Sequence, residues 1–541
     1  MRIARVLALG AVAAFVGIFF AWPVVTIIGR GLRLDGHLDL AAFGDTLRRP
    51  GIPRIIAFTF VQAILSTVVT LAVGIPGAYV VSRYRFRGRA LLAAALTIPF
   101  VLPTVVVGTA FLALLGPGGP LARLGLIGTL PAIVLAHACF NDAVVIRTVG
   151  ARWAHLDHRA VDAARTLGAS RWRTWWRVTL PALRPAVVAS AVIVFLFSFT
   201  SFGVILILGG PRTATMETEI YRVTVQALDL RTAAVLSILQ MLAVGAAVAA
   251  GSLLSRERVG APRWRPRDLD TLPVVAARRA VLAANLAVMA ALIGAPLVVL
   301  VRRSFTTGSG VGLAWYRGLG SIGGTGLAET PWRALGNSLA FATVATLIAV
   351  AAGTVIATGV VARGRSTRLA RVLDRAVLLP LGVSAVTIGF GYLITLDTPP
   401  FDLRTSWWIV PIAQAVIAIP FVVRTAVPML RSVDPRLRDA TATLGATPAR
   451  VWRAVDLPAL RAALTTAAAF AFAISLGEFG ATVFIVRPET TTLPVAIYRM
   501  LGRPGPANQG TAWAASVLLM TVTTVVVLAI DRTPGRIRRS R

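Results

Sequence analysis

The sequence predicts an all-α polytopic membrane protein, with about twelve transmembrane helices arranged as two parallel six-helix repeats. Three observations carry this. Of its 541 residues, 56% are hydrophobic and only 14% charged, more apolar surface than a soluble core of this size hides. About twelve apolar runs reach the length of roughly eighteen residues that a membrane span needs. A polar stretch in the first half recurs without a gap in the second, at an offset of 277 residues.

The runs fall near 6–29, 56–82, 90–115, 128–147, 185–209, 232–254, 279–301, 335–362, 373–396, 406–429, 462–486 and 510–530. The first passes Trp22 and Pro23 to Gly29 without a small-residue cleavage site, so it reads as a retained span rather than a signal peptide. The polar segments between the runs alternate in Arg content, and none of the 55 basic residues is a Lys. Two Arg precede the first run, and Arg83, Arg85, Arg87 and Arg89 follow the second. Eight lie in 147–184, seven in 256–279, five in 363–375, seven in 424–461 and five in the tail. The intervening loops carry 5, 1, 3, 4, 1 and 3, so 38 Arg fall on one side and 17 on the other. Basic residues concentrate on the cytoplasmic side, which places both termini inside. The net charge of +33 is therefore a topology signal, and no nucleic-acid role is read from it. The lone Cys139 excludes an intramolecular disulfide.

Residues 162–184, DAARTLGASRWRTWWRVTLPALR, and 439–461, DATATLGATPARVWRAVDLPALR, agree at 14 of 23 positions. Shared membrane composition cannot explain this, because the match lies in a loop rich in Arg and Trp. The same offset pairs Arg147-Thr148 with Arg424-Thr425, Phe202-Gly203 with Phe479-Gly480, Pro211 with Pro488, and Tyr221-Arg222 with Tyr498-Arg499. Upstream it drifts to 281, pairing Pro99 with Pro380 and Gly108 with Gly389. Six helices per half keep the halves parallel, related by an axis along the membrane normal with a pathway between them. The expected division is 1–254 for the first half, a Pro- and Arg-rich cytoplasmic linker at 255–278, and 279–541 for the second half.

Each repeated loop lies between the fourth and fifth helices of its half, at 149–184 and 431–461. The pattern predicts two short helices around a glycine turn. Asp157 and Asp434 are candidate caps for the first helix, and Gly168 and Gly445 permit the reversal. The second helices (169–179 and 446–456) carry Trp and Arg and are expected to end at Leu-Pro. Such a helix suits a groove on a partner. Trp172, Trp175 and Trp176 fit either that partner or the headgroup layer.

These loops resemble the "EAA" loop of ATP-binding-cassette (ABC) importer permeases: Glu-Ala-Ala, three residues, Gly, nine residues, Ile, one residue, Leu-Pro. The first copy reads Asp162-Ala163-Ala164, Gly168, Val178, Leu180-Pro181, and the second Asp439-Ala440-Thr441, Gly445, Val455, Leu457-Pro458. Asp for Glu, Val for Ile, and Thr441 for Ala are the departures. The resemblance implies a type I importer permease fold in which these residues form the coupling helices that dock an ATPase. Two copies imply two ATPase subunits, with an extracytoplasmic substrate-binding protein on the other face and the lipid bilayer of the cytoplasmic membrane around the chain.

The sequence supplies no catalysis of its own, and no cofactor is expected. A P-loop needs a Lys, and His37, His137, His155, His158 and Cys139 make no zinc-like cluster. ATP hydrolysis is expected on a separate subunit. Intramembrane ionisable groups are pathway candidates. Glu478 lies in the outer half of the eleventh span with Ser201 as its repeat counterpart, and His137 is deep in the fourth. Asp142 is expected to pair with Arg147 or to be solvated.

The segment Phe197 to Phe202-Gly203, Leu208-Gly209-Gly210-Pro211, and Thr213 to Tyr221 looks like the fused permeases of thiamine importers, as does Ser475-Leu476-Gly477-Glu478-Phe479-Gly480. Similar stretches occur in ferric-iron and in molybdate and sulfate permeases. The resemblance therefore implies thiamine or its phosphates, with ferric iron as the alternative. An ion-coupled secondary transporter is the rival class; it does not predict two equally spaced Gly/Leu-Pro loops.

Overall fold

A computed structural model describes residues 2–34, 37–89, 92, 99, 101–156, 158–254, 272–273, 276–308, 310–322, 327–361, 379–397 and 402–531. Nine helices among them are long and apolar enough to cross a bilayer. In the first half these are α1 (Val6–Leu32), α2 (Ile52–Arg83), α4 (Leu130–Ala154), α5 (Arg171–Phe199) and α6 (Leu230–Leu254). In the second they are α7 (Arg279–Phe305), α8 (Pro331–Val361), α10 (Ile409–Ser432) and α12 (Pro506–Leu528). A tenth, α11, is the pair Ala449–Arg461 and Ala463–Gly477, bent by 49°. The runs expected at 90–115 and 373–396 hold the shorter apolar helices α3 (Thr104–Leu115) and α9 (Ala385–Thr395); much of their first parts lies outside the described residues, as does most of the expected linker 255–278. Of that linker, Leu272–Pro273 pairs with Tyr84–Arg85 after α2.

The two halves repeat their packing. Helices α2, α4 and α5 contact one another, and α8, α10 and α11 do the same. Glycines set the closest approaches, as expected where lipid gives no hydrophobic drive and backbones must meet to gain dispersion contacts. A Cβ on Gly74 would stand 2.7 Å from Val145 Cβ, and one on Gly353 would stand 2.5 Å from Val422 Cγ1. Val145 and Val422 are repeat counterparts. Gly108 against Ile207 likewise matches Gly389 against Phe484, each with a Cβ distance of 3.0 Å.

The first helix of each half crosses to the other half. Helix α1 packs on α8, α9 and α10, while α7 packs on α2, α3 and α4. Tyr392 of α9 donates its hydroxyl to the Phe19 carbonyl of α1 at 2.7 Å, and Gly359 of α8 packs against Leu9. This reciprocal exchange closes the seam between the halves. Within the spans, Thr59, Thr67, Thr70, Ser82 and Thr109 donate to the carbonyl four residues back, which satisfies their hydroxyls inside their own helices.

Candidate functional site

Two structures stand out: the paired loops at one end of the bundle and the seam where the halves meet. Each loop opens with a short helix, His158–Thr166 or Pro435–Thr443. Asp434 caps the second by accepting from the Arg436 amide at 2.9 Å; Asp157 lies outside the described residues. Both helices stop in the same motif. Gly168 and Gly445 take φ of +82° and +76°. The amide after each glycine donates five residues back, Ala169 to Ala164 at 3.0 Å and Ala446 to Thr441 at 3.3 Å. That 6→1 bond around a left-handed glycine caps the last carbonyls of a helix, so the glycine is required by the backbone. Asp162, Ala163, Gly168, Pro181, Asp439, Ala440, Gly445 and Pro458 are exposed, and Ala164, Leu180 and Leu457 half-buried. Leu167 and Leu444 beside the glycines are 88% and 87% exposed. This is an apolar tip with nothing of this chain over it among the described residues.

The expected end of the second loop helix at Leu-Pro does not occur. Trp175–Thr179 and Trp452–Asp456 form wide turns with hydrogen bonds five residues apart, and the chain runs on through Pro181 and Pro458 into the fifth spans. A π-type turn at this point accommodates a proline, which lacks the amide and would crowd the carbonyl four residues back. The short helix after each glycine thus runs into the fifth span, without a break along α5 and through the 49° bend of α11. The three Trp divide. Trp175 stacks on Trp153 at 5.5 Å inside the half, while Trp172 and Trp176 are 70% and 51% exposed. The second loop is held instead by Arg438, which pairs with Asp456 at 2.7 Å and donates to the Leu430 carbonyl at 3.0 Å.

At the seam, the fifth span of each half breaks. After Phe199 the chain resumes as Gly203–Leu208, and after Gly477 as Thr482–Ile485. Gly203 abuts Thr104 at the start of α3, and Gly480 abuts Ala385 at the start of α9. In the breaks Phe202 and Phe479, repeat counterparts, stack at 5.3 Å and 22°. Phe202 meets Tyr221 edge-on at 5.5 Å and 63°, and Phe479 meets Tyr498 at 5.5 Å and 62°. Tyr221 and Tyr498 are themselves repeat counterparts at the same offset. The pseudo-two-fold axis therefore passes through a four-ring cluster. Repeat alignment had paired these residues but could not show that each touches its own counterpart; identities at the offset outside the loops were the available signal.

Glu478 sits in the second break. Its carboxylate turns back on its own chain, accepting from the Ala481 amide at 2.7 Å, the Thr482 amide at 3.0 Å and the Thr482 hydroxyl. Ser201 is buried beside Phe202 in the first break. His137 is not at the seam. It lies inside the first half, its Nδ1 3.0 Å from the Ser66 hydroxyl, near a buried polar set that includes Gln62, Asn141 and Ser198. Asp142 departs from expectation: it is fully buried against Gly74 and neither carboxylate oxygen has a partner among the described residues. Five residues on a helix turn through about 140° beyond a full circle, so Arg147 points away from it. Sequence reading also missed Glu217, buried in the helix that packs on α9 of the other half, which accepts from the Gln240 amide.

A duplicated helical bundle with nine spans among the described residues, or ten with the bent pair, paired exposed loops on one face and a seam on the axis, has the build of the membrane-spanning subunit of a transporter. Residues 71–256 and 349–539 match the family described as binding-protein-dependent transport system inner membrane component, and the chain belongs to that family. It is a fused ABC importer permease, not itself an enzyme, and a multi-pass inner-membrane protein. It is 27% identical to the thiamine transport system permease protein of Escherichia coli, over 89% of each chain. It is 26% identical to that of Haemophilus influenzae, over 94% of this chain and 93% of that one. A crystal structure of a bacterial ABC transporter involved in alginate import aligns with 45% of this chain and 92% of that chain, with 18% identity and a TM-score of 0.39.

Proposed function

We propose that this chain carries thiamine or a thiamine phosphate inward across the cytoplasmic membrane, received from an extracytoplasmic binding protein and driven by two ATPase subunits. The supporting observation is the pair of equivalent glycine-capped loops, 149–184 and 431–461, each leading into a fifth span that ends at the seam. Movement of either loop is transmitted along α5 or α11 to Phe202 or Phe479. Asp162, Ala163, Ala164, Gly168, Leu180, Pro181, Asp439, Ala440, Gly445, Leu457 and Pro458 are assigned to ATPase coupling, one subunit per loop. The halves are 1–254 and 279–541, joined by 255–278, and the Arg distribution puts both termini in the cytoplasm.

For the pathway, Ser201 and Glu478 flank the four-ring cluster and are assigned to the seam that opens for the solute. Discontinuous helices at the interface of repeats are where transporters build such sites, because unwound backbone is tolerated there. His137 is assigned to the polar interior of the first half, one helix layer behind the seam. The thiamine substrate rests on the relatives, which favour it over the ferric-iron alternative.

The deciding experiment reconstitutes the chain with its ATPase in liposomes and measures labelled thiamine uptake with ATP and the co-purified binding protein. Uptake is expected only when all are present. Uptake by the chain alone under an ion gradient refutes the importer reading, and a binding protein that takes ferric iron but not thiamine refutes the substrate.

A further inference from the structure

Among the described residues one non-glycine has a left-handed backbone: Leu228, with φ of +54°. It lies between Met216–Val225 and α6, at the end of the bundle away from the glycine-capped loops. The repeat offset places Gly505, with φ of +113°, at the equivalent position. The second half thus makes this turn with the residue that adopts it freely. The first half makes it with a side chain that opposes it, because the leucine Cβ crowds its own carbonyl. Such strain persists only where the surroundings over-determine it, and here they do. The Asp229 amide donates to the Val223 carbonyl at 2.8 Å. The Asp229 carboxylate accepts from the Thr232 amide at 3.0 Å, the Thr232 hydroxyl at 2.7 Å and Arg49 at 2.5 Å.

The fold gains nothing visible from this leucine. Its side chain is 75% exposed, with Val225, also exposed, one turn before it. Gly502 and Gly505 stand at the two equivalent positions of the second half. The apolar pair is therefore one-sided. The charge around it is unbalanced. Asp39, Glu219 and Asp229 are each bound to an arginine. Arg54, which donates to the Arg212 carbonyl at 3.4 Å, and Arg212 itself have no carboxylate partner among the described residues. Arg48, Arg54 and Arg212 outnumber Asp45, the exposed carboxylate nearby that is in no ion pair among the described residues, so the outward face here is an apolar knob on a net-positive surface.

We propose that Leu228 and Val225 form the anchor on which one lobe of the extracytoplasmic binding protein docks, through an apolar recess rimmed by carboxylates. The second half offers no such anchor, so the partner seats in one orientation. This rests on the importer reading above. An aliphatic anchor seated in a pocket with a polar rim is one arrangement that builds a binding interface, and a rigid turn presents the anchor with little ordering cost.

The test uses the full chain with its ATPase in nanodiscs, titrated with the binding protein that co-purifies from the source cells, with ATP hydrolysis as readout. Leu228→Gly relieves the strain, so its thermal midpoint is not expected to fall, yet its apparent KM for the binding protein is expected to rise about tenfold. Leu228→Ala keeps the backbone strain, removes the side chain, and is expected to raise the KM likewise. Because Cys139 is buried, Leu228→Cys offers a single accessible thiol for a maleimide photo-crosslinker, expected to capture the binding protein. A KM within twofold of the parent in both the Gly and Ala variants overturns the proposal, as does crosslinking to lipid alone. If the unaltered complex shows no stimulation by the binding protein at all, the importer reading fails, and the docking proposal falls with it.

Discussion

Phe202 and Phe479 give the most direct way to ask whether the seam is a gate. Each ring makes the same two contacts, the mutual stack at 5.3 Å and an edge contact to a tyrosine of its own half at 5.5 Å. Replacing either by Leu keeps most of the apolar volume but loses ring geometry, which is worth about 1 kcal/mol per aromatic pair beyond area burial. If the stack holds the resting seam shut, removing about 1 kcal/mol raises the open fraction about fivefold. Hydrolysis without the binding protein is then expected to rise by about the same factor. Both single variants delete the same stack, so the double variant is expected to fall well short of their product; contacting residues show this non-additivity. The assay is ATP hydrolysis by the reconstituted complex, with the thermal midpoint measured in parallel. Unchanged basal hydrolysis with a lowered midpoint would show that the cluster only cements the halves. Multiplicative single effects would show that the two rings do not act through each other.

Three further expectations follow from particular contacts. Glu478→Gln turns an amide group toward donors that now meet a carboxylate, and losing one or two charge-assisted bonds lowers stability by about 2–4 kcal/mol; an unchanged midpoint with an altered thiamine KM would instead make Glu478 a solute contact. Gly168→Leu with Gly445→Leu puts a Cβ into open space, so its cost is the backbone alone, about 1–2 kcal/mol per turn. Hydrolysis is expected to persist while uptake per ATP falls, and unaltered ATP-driven uptake would remove the coupling role from these turns. Gly389→Ala drives a Cβ to 2.7 Å from the Ala481 Cα and carbonyl oxygen; since backbone cannot swing aside, a loss of about 1–3 kcal/mol is expected in thermal unfolding.

The sequence by itself determined the class of architecture, the duplication and the paired loops. Span length, Arg asymmetry and the Gly to Leu-Pro spacing are local or periodic properties, and they need no knowledge of which helix touches which. The requirement for Gly168 and Gly445 was legible for the same reason, since a left-handed residue is dictated within six residues of chain. Leu-Pro misled because proline's usual effect on a helix was overridden by a π-type turn, a detail of hydrogen-bond register that composition does not carry. What only the tertiary structure decided depends on contacts between distant segments. Examples are the exchange of α1 and α7 between the halves, the meeting of Phe202 with Phe479, and the burial of Asp142 against Gly74. Glu478 is the clearest case. Its presence in an apolar run marked it as costly, but whether that cost is met by a solute or by the chain's own amides rests on where the helix breaks. In the folded chain its carboxylate meets the amides of Ala481 and Thr482.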